Sequence, residues 1–531
     1  MEMQKSRPLT CMGNVFLIGL GLALFSGADW PQGPGPHFDF TIPSADTPKE
    51  WSLVHKKNVK WFTVLPETGQ SAPVVSGDRI YVTTMKPVQR DSEIGSDIVV
   101  YALSKPDGTI VWQAEIQGGY STKLSAPFGD ASAPAPIVHG DRLWVLNPTG
   151  RLACFSKTGE TLWVRDVTSV SRTQPILHDG MLIFHRQAYM PDESGHFTHE
   201  NKNASIERWT QIQAIDAETG NNIWVSECGA NMGCIPLLQK LSDGTPVLVV
   251  GRGGGHSPPE SPEGISLIRA DDGQTIWTLP LEKFMSTQMY PIIDDQILVF
   301  HRGDHLWVDA RSGKISRTQS IVRNVTVSRW TPHGHQNSQE TLQEGKPRSI
   351  TQQSNIRVGN YHYFRAYTKN YLGRIHLGNG KVEYLELPLQ VLREPKSPDK
   401  TLWSAEQWPT LLASLDKRRK KKRDLTTTSF RLNQVRNSRG YLVMGDERAQ
   451  ANGWGHTASP LPTAFGNDLV VPILSGMVFV IRADAKKLDQ KALLSINDLG
   501  PLGKSFTRAS LTTDGRIIFA HTIQGIAAFA K

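Results

Sequence analysis

The chain has 531 residues, 39% hydrophobic and 20% charged, with 46 glycines, 33 prolines, 14 tryptophans and 4 cysteines. That composition excludes a disordered tail, a collagen and a disulfide-stapled miniprotein. Of the formal net charge of +8, seven units come from the run Lys417, Arg418, Arg419, Lys420, Lys421, Lys422, Arg423 and one from the first 28 residues; the balanced remainder lacks the spread of Lys and Arg that a specific nucleic-acid surface needs.

In chain order, the N-terminus has the make-up of an export signal: Lys5 and Arg7, an apolar stretch from Val15 to Phe25, then Ser26, Gly27 and Ala28 before Asp29. The apolar segment is shorter than the roughly 20 residues a spanning helix needs. Residues 1–28 are therefore expected to be removed as a signal peptide, leaving an exported protein, periplasmic or extracellular, with an N-terminal extension over 29–57. Its cysteines would be Cys154, Cys228 and Cys234. Cys228 and Cys234, in CGANMGC, are close enough to bridge a small loop and are expected to do so, with Cys154 a buried, free thiol.

A strand, a small turn and a returning strand with tryptophan recur as YALSKPDGTIVW to Trp112, LACFSKTGETLW to Trp163, IQAIDAETGNNIW to Trp224 and ISLIRADDGQTIW to Trp277. Alternating apolar residues flanking a glycine turn form a β-hairpin, the glycine supplying positive φ. Weaker copies lie around Gly313 and Gly380, with Ser316 and Tyr384 near the tryptophan position. Upstream of the hairpins recurs a second element, in order SAPVVSGDRIYV, APAPIVHGDRLWV, TQPILHDGMLIF, CIPLLQKLSDGTPVLVV, MYPIIDDQILVF, SNIRVGNYHYF, SPLPTAFGNDLVV and ASLTTDGRIIFA. Joining each to its hairpin gives four short antiparallel strands per unit. The fold class is therefore all-β: an eight-bladed β-propeller over 58–531.

The last unit stops at Lys531 before any tryptophan-bearing strand, whereas NVKWFTVLP, with Trp61, precedes the first unit. Pairing of these N- and C-terminal strands is expected to close the ring and remove an exposed edge.

The tryptophan hairpins, the Pro elements and DWPQGPG after the signal resemble the quinoprotein-like propellers, also called PQQ-like repeats, across essentially the whole mature chain. That family includes pyrroloquinoline-quinone (PQQ) dehydrogenases, a periplasmic outer-membrane assembly scaffold and exported propellers without an assigned reaction. The resemblance implies that Trp61, Trp112, Trp163, Trp224 and Trp277 dock neighbouring blades. The family's alcohol dehydrogenases carry an adjacent Cys-Cys pair, a tryptophan floor, calcium-binding groups and an aspartate base. No Cys-Cys dipeptide exists here, and Asp216, Asp271 and Asp309 fall in the repeated turn, where carboxylates stabilise the turn.

No catalytic residue is assigned. The histidine pairs His196/His199, His301/His305 and His333/His335 lack the third ligand that defines a metal site. GRGGGHSPPESPEG, from Gly251 to Gly264, lacks the following helix of a phosphate loop and is expected to be a rim loop. The stretch 397–453 is the least propeller-like, with a short helix in AEQWPTLLASLDK running into the basic cluster Lys417–Arg423, a candidate anion-binding run. The expected protein is a monomeric, non-catalytic binding or scaffold propeller without a cofactor, holding a protein or polysaccharide partner on its loops and an anionic surface at the basic insert. The alternative is a PQQ- and calcium-dependent oxidoreductase acting on a small alcohol or sugar.

Overall fold

The computed structural model describes the chain from Asp29 onward except for a few short stretches and the longer runs 124–133, 188–205, 343–353, 402–434 and 444–459. Eight antiparallel four-stranded blades form a ring, seven of them from strands that follow one another along the chain. Blade 1 comprises Val74–Ser76, Arg79–Met85, Ile98–Ser104 and Ile110–Ile116. The inner strands of blades 2 to 8 are Ile137–His139, Ile176–His178, Leu238–Lys240, Ile292–Ile293, Asn355–Val358, Thr463–Phe465 and Thr512–Thr513. The degenerate fourth unit is a regular blade. No α-helix occurs among the described residues.

Apolar runs place the second and third strands of each blade between two neighbours. In blade 2 Leu143, Val145, Leu152 and Cys154 are buried, whereas its outer strand Thr161–Asp166 is largely exposed. Blade 8 is completed by Val59–Val64, which pairs antiparallel with the C-terminal strand Gly525–Phe529; Trp61 faces Ala528 and Thr63 faces Ile526. The two ends of the chain thus close the ring by hydrogen bonds.

In an antiparallel meander the connections between strands 1–2 and 3–4 share one end of the blade, and the others share the opposite end. Backbone bonds stitch the first set together: Lys105 N donates to Asp78 O (2.8 Å), Lys157 N to Asp141 O (2.9 Å), Ala310 N to Asp295 O (2.8 Å) and Ala483 N to Asn467 O (2.8 Å). This turn end is built almost wholly from tight turns. The long connections, 117–136, 187–210, 226–237, 253–263, 321–354 and 387–462, begin and finish at the opposite loop end.

The extension 29–57 is part of the ring. Trp30 and Val75 exchange backbone bonds (2.9 Å each), Val138 N donates to Pro31 O (2.8 Å), and Leu177 N donates to Gln32 Oε1 (3.1 Å). Farther along, Ala464 N donates to Phe40 O (3.0 Å), Thr41–Ile42 pairs parallel with blade 7, and Asp46 N donates to Gly515 O (2.7 Å). In this segment residues 29–46 form an axial strap that meets the inner strands of blades 1, 2, 3 and 7 and then blade 8, whereas residues 51–54 run beside the outer strand of blade 7, with Trp51 N donating to Asn497 Oδ1 (2.9 Å) and Val54 N to Asp498 Oδ1 (3.1 Å). Trp30 and Trp51 within the extension are fully buried.

Candidate functional site

Each repeated tryptophan lies against the glycine of the next blade's hairpin. A Cβ on Gly108, Gly159, Gly273 or Gly313 would stand 2.5, 2.8, 2.5 or 2.8 Å from the indole of Trp61, Trp112, Trp224 or Trp277 in the preceding blade, and on Gly220 it would be 3.2 Å from Trp163. Three indoles also donate Nε1–H to a carbonyl beside that glycine: Trp61 to Lys105 O (2.9 Å), Trp112 to Lys157 O (2.9 Å) and Trp277 to Ala310 O (2.7 Å). At the junction of blades 2 and 3 the carbonyl of Ala217 is taken instead by Trp144 (2.8 Å), and Trp163 Nε1 has no acceptor.

Where the hairpin loses its tryptophan, other residues take over. Arg317 Nη1 donates to Leu377 O (3.1 Å), and Tyr363 Oη donates to Ala483 O (2.7 Å). Sequence position pointed to Ser316 and Tyr384, but Ser316 hydrogen-bonds within its own blade and Tyr384 Oη donates to Ile321 O (2.5 Å).

The turn carboxylates behave as turn residues. Asp216 Oδ1 accepts from Thr219 N (2.6 Å) and Oγ1 (2.7 Å), Asp309 Oδ1 accepts from Ser312 N (2.8 Å) and Oγ (2.7 Å), and these bonds hold both carboxyls below their usual range. Asp271 faces His178 Nε2 (3.2 Å).

His301 and His305 are not brought together. Phe300 opposes His305 across the hairpin, so His301 falls on the other face. His305 Nε2 instead meets His362 Nδ1 (2.9 Å), whose Nε2 meets Asn355 Oδ1 (2.9 Å), a buried polar chain from blade 5 to the inner strand of blade 6. His196, His199, His333 and the run Lys417–Arg423 lie outside the described residues. The expected Cys228–Cys234 bridge is not formed: Cys154, Cys228 and Cys234 are buried and outside any disulfide, and Cys234 Sγ lies 3.4 Å from His185 Nε2.

Buried polar groups gather at the loop end. Both amide atoms of Gln187, the hydroxyls of Thr210, Thr287 and Ser475, and His521 Nε2 have no hydrogen-bond partner. His521 Nδ1 is fixed by Ser71 O (2.8 Å), and burial pushes the imidazole down to about 4, leaving a neutral ring with a bare acceptor nitrogen. Arg365, also buried, donates to Pro460 O (2.8 Å) and Pro472 O (3.2 Å), and burial pushes it down to about 9. This end can offer hydrogen bonds to a ligand. Among the described residues no three His, Cys, Asp or Glu side chains converge as a cation site.

A family model described as outer membrane protein assembly factor BamB matches residues 95–326. Among solved structures, quinohemoprotein alcohol dehydrogenase from Comamonas testosteroni superimposes with a TM-score of 0.51 at 14% identity, covering 94% of this chain and 80% of that one. The chain is a β-propeller similar to the PQQ-like family. Other PQQ-like neighbours are quinohemoprotein alcohol dehydrogenase ADHIIG from Pseudomonas putida (TM-score 0.45, 16% identity, 90% and 74% covered) and BamB from Moraxella catarrhalis (0.35, 12%, 74% and 92%). No curated protein matches the chain. No helix among the described residues is long and apolar enough to cross a membrane.

Proposed function

We propose that this PQQ-like propeller is an exported, non-catalytic binding or scaffold protein whose loop end holds a protein or polysaccharide partner. The observation that carries the reading is the segregation of the connections: tight turns and a strap at one end, every long connection at the other. Binding surfaces are commonly built from loops held on a rigid scaffold. The basic run Lys417–Arg423 belongs to the connection 387–462 between blades 6 and 7, and in this reading it adds contacts to an anionic surface.

The quinone-dependent alternative asks for calcium-binding carboxylates and amides around the cofactor. The unpartnered buried groups at the loop end are hydroxyl, amide and imidazole, and among the described residues no three His, Cys, Asp or Glu side chains converge there to support calcium. The deciding experiment adds PQQ and calcium to the purified chain while following absorbance, thermal stability and dye reduction. The scaffold reading expects no turnover; saturable stabilisation together with turnover overturns it.

A further inference from the structure

At the turn end the strap leaves a cavity of about 380 Å³ between its residues 36–39 and the inner strands of blades 4, 5 and 6. That volume falls in the range of small-ligand pockets, roughly 300–1,000 Å³. One wall is apolar, formed chiefly by Leu237, Met289, Ile292 and Ile356. Lys240 from blade 4, Arg357 from blade 6 and His37 from the strap also line it.

Neither Lys240 nor Arg357 forms an ion pair among the described residues, although Arg357 is near enough to Asp39 to favour its ionised form; Arg357 Nη1 donates to Gly359 O (3.2 Å). The single carboxylate in the lining, Asp39, has Oδ1 occupied by Thr41 N (3.0 Å) and Thr41 Oγ1 (2.8 Å). The strap arches over the cavity through two aromatic residues in the left-handed region, Phe38 at φ 61° and Phe40 at φ 64°. Such strain persists only where surrounding structure holds it. Phe40 is anchored in the core, while Phe38 stays half-buried at the cavity.

We infer that this axial pocket binds a small amphipathic anion, with a carboxylate or phosphate held by Arg357 and Lys240 and an apolar body laid against Ile292 and Ile356. The site is on the opposite end of the ring from the proposed partner surface and is independent of that reading.

Direct binding tests it, using 1-naphthylacetate and 1-naphthyl phosphate as fluorescent probes and 1-naphthalenemethanol as the neutral control, each titrated into the full chain. At least one anion should saturate, with the stronger of the two identifying the head group. Arg357→Met should weaken it about tenfold, the loss expected for one charge-assisted hydrogen bond in a partly buried site. Ile292→Trp should abolish binding by filling the cavity with the charges left intact, and unchanged melting of both variants would show that the ring is folded. Absence of saturable binding by either anion, equal binding of the neutral control, or wild-type binding by Ile292→Trp would overturn the inference.

Discussion

Gly108 in blade 1 lies beneath the indole of Trp61 from blade 8, so closely that a Cβ on the glycine would stand 2.5 Å from Trp61 Cε3. The glycine has φ +75°, and so answers two demands at once, the turn and the neighbour's ring. Gly77 separates them: its φ is +59°, but a Cβ there meets nothing within 4 Å. Gly77→Ala should therefore cost only the left-handed backbone term, about 1–2 kcal/mol. Gly108→Ala should add about 1–3 kcal/mol of overpacking. Urea denaturation of the two variants checks this, and equal losses would mean that the indole contact carries no specificity.

Ring closure rests on Trp61 facing Ala528. Deleting Asn58–Leu65 leaves Gly525–Phe529 as an unpaired apolar edge, all five residues of which are buried in the intact ring. Aggregation or loss of cooperative unfolding is expected. A truncated chain that stayed monomeric by light scattering with unchanged melting would refute closure.

The repeats were legible because a blade imposes two sequence periods at once, alternation along strands and a glycine at each hairpin, and both survive divergence at the surface. The substitutes for the missing docking tryptophans were not. Tyr363 reaches Ala483 O, and Trp144 reaches Ala217 O, from second strands, where an aromatic residue looks like ordinary core. The strap left still less trace. It meets one or two backbone groups per blade, as with Pro31 and Val138, and such single bonds create no periodicity. The cysteines misled because spacing limits how far apart two sulfurs are and says nothing about where each points; Cys234 lies against His185.

Stability should fall with acid. Burial lowers His185 and His521 to about 4 and His305 to about 3, and holds His362 well below its usual value. Each binds its proton in the unfolded chain near pH 6.5 but not in the native one, so its stabilisation is complete above that pH and is lost as pH falls toward the native value. Each group contributes a slope of up to about 1.4 kcal/mol per pH unit. Asp39 and Asp498, raised by burial, oppose this only at the acid end, near the carboxylate range. Denaturant midpoints at pH 7.5, 6 and 5 should fall steadily; a flat profile would show that these imidazoles are solvated.

If the run Lys417–Arg423 contacts an anionic surface, co-sedimentation with anionic vesicles or glycans should weaken steeply with salt, because screening acts over about 8 Å at physiological ionic strength. Changing its seven residues to Ser or Gln should remove that dependence while leaving the melting temperature in place, since the run lies in a connection between blades. Equal binding by both proteins at low salt would leave it as a solvated loop.

The strap makes a different prediction from the closing strand. A chain beginning at Pro43 keeps Val59–Val64 and so keeps the ring shut, but it loses Trp30 and Phe40, both at most 1% exposed. Returning two large aromatic side chains to water costs about 1.5–3 kcal/mol each. It also removes the acceptors for Val75 N, Val138 N and Ala464 N, which bond to Trp30, Pro31 and Phe40 carbonyls at 2.9, 2.8 and 3.0 Å. The truncated protein should therefore stay monomeric and unfold cooperatively at lower denaturant, with hydrogen exchange at those three amides faster by more than tenfold. Exchange at Phe62 and Thr63, in the closing strand, should rise only by the global loss of stability. Uniform acceleration across both sets would show that the strap is part of the same cooperative unit as the closure, and unchanged exchange at Val75, Val138 and Ala464 would remove the strap from the structural core altogether.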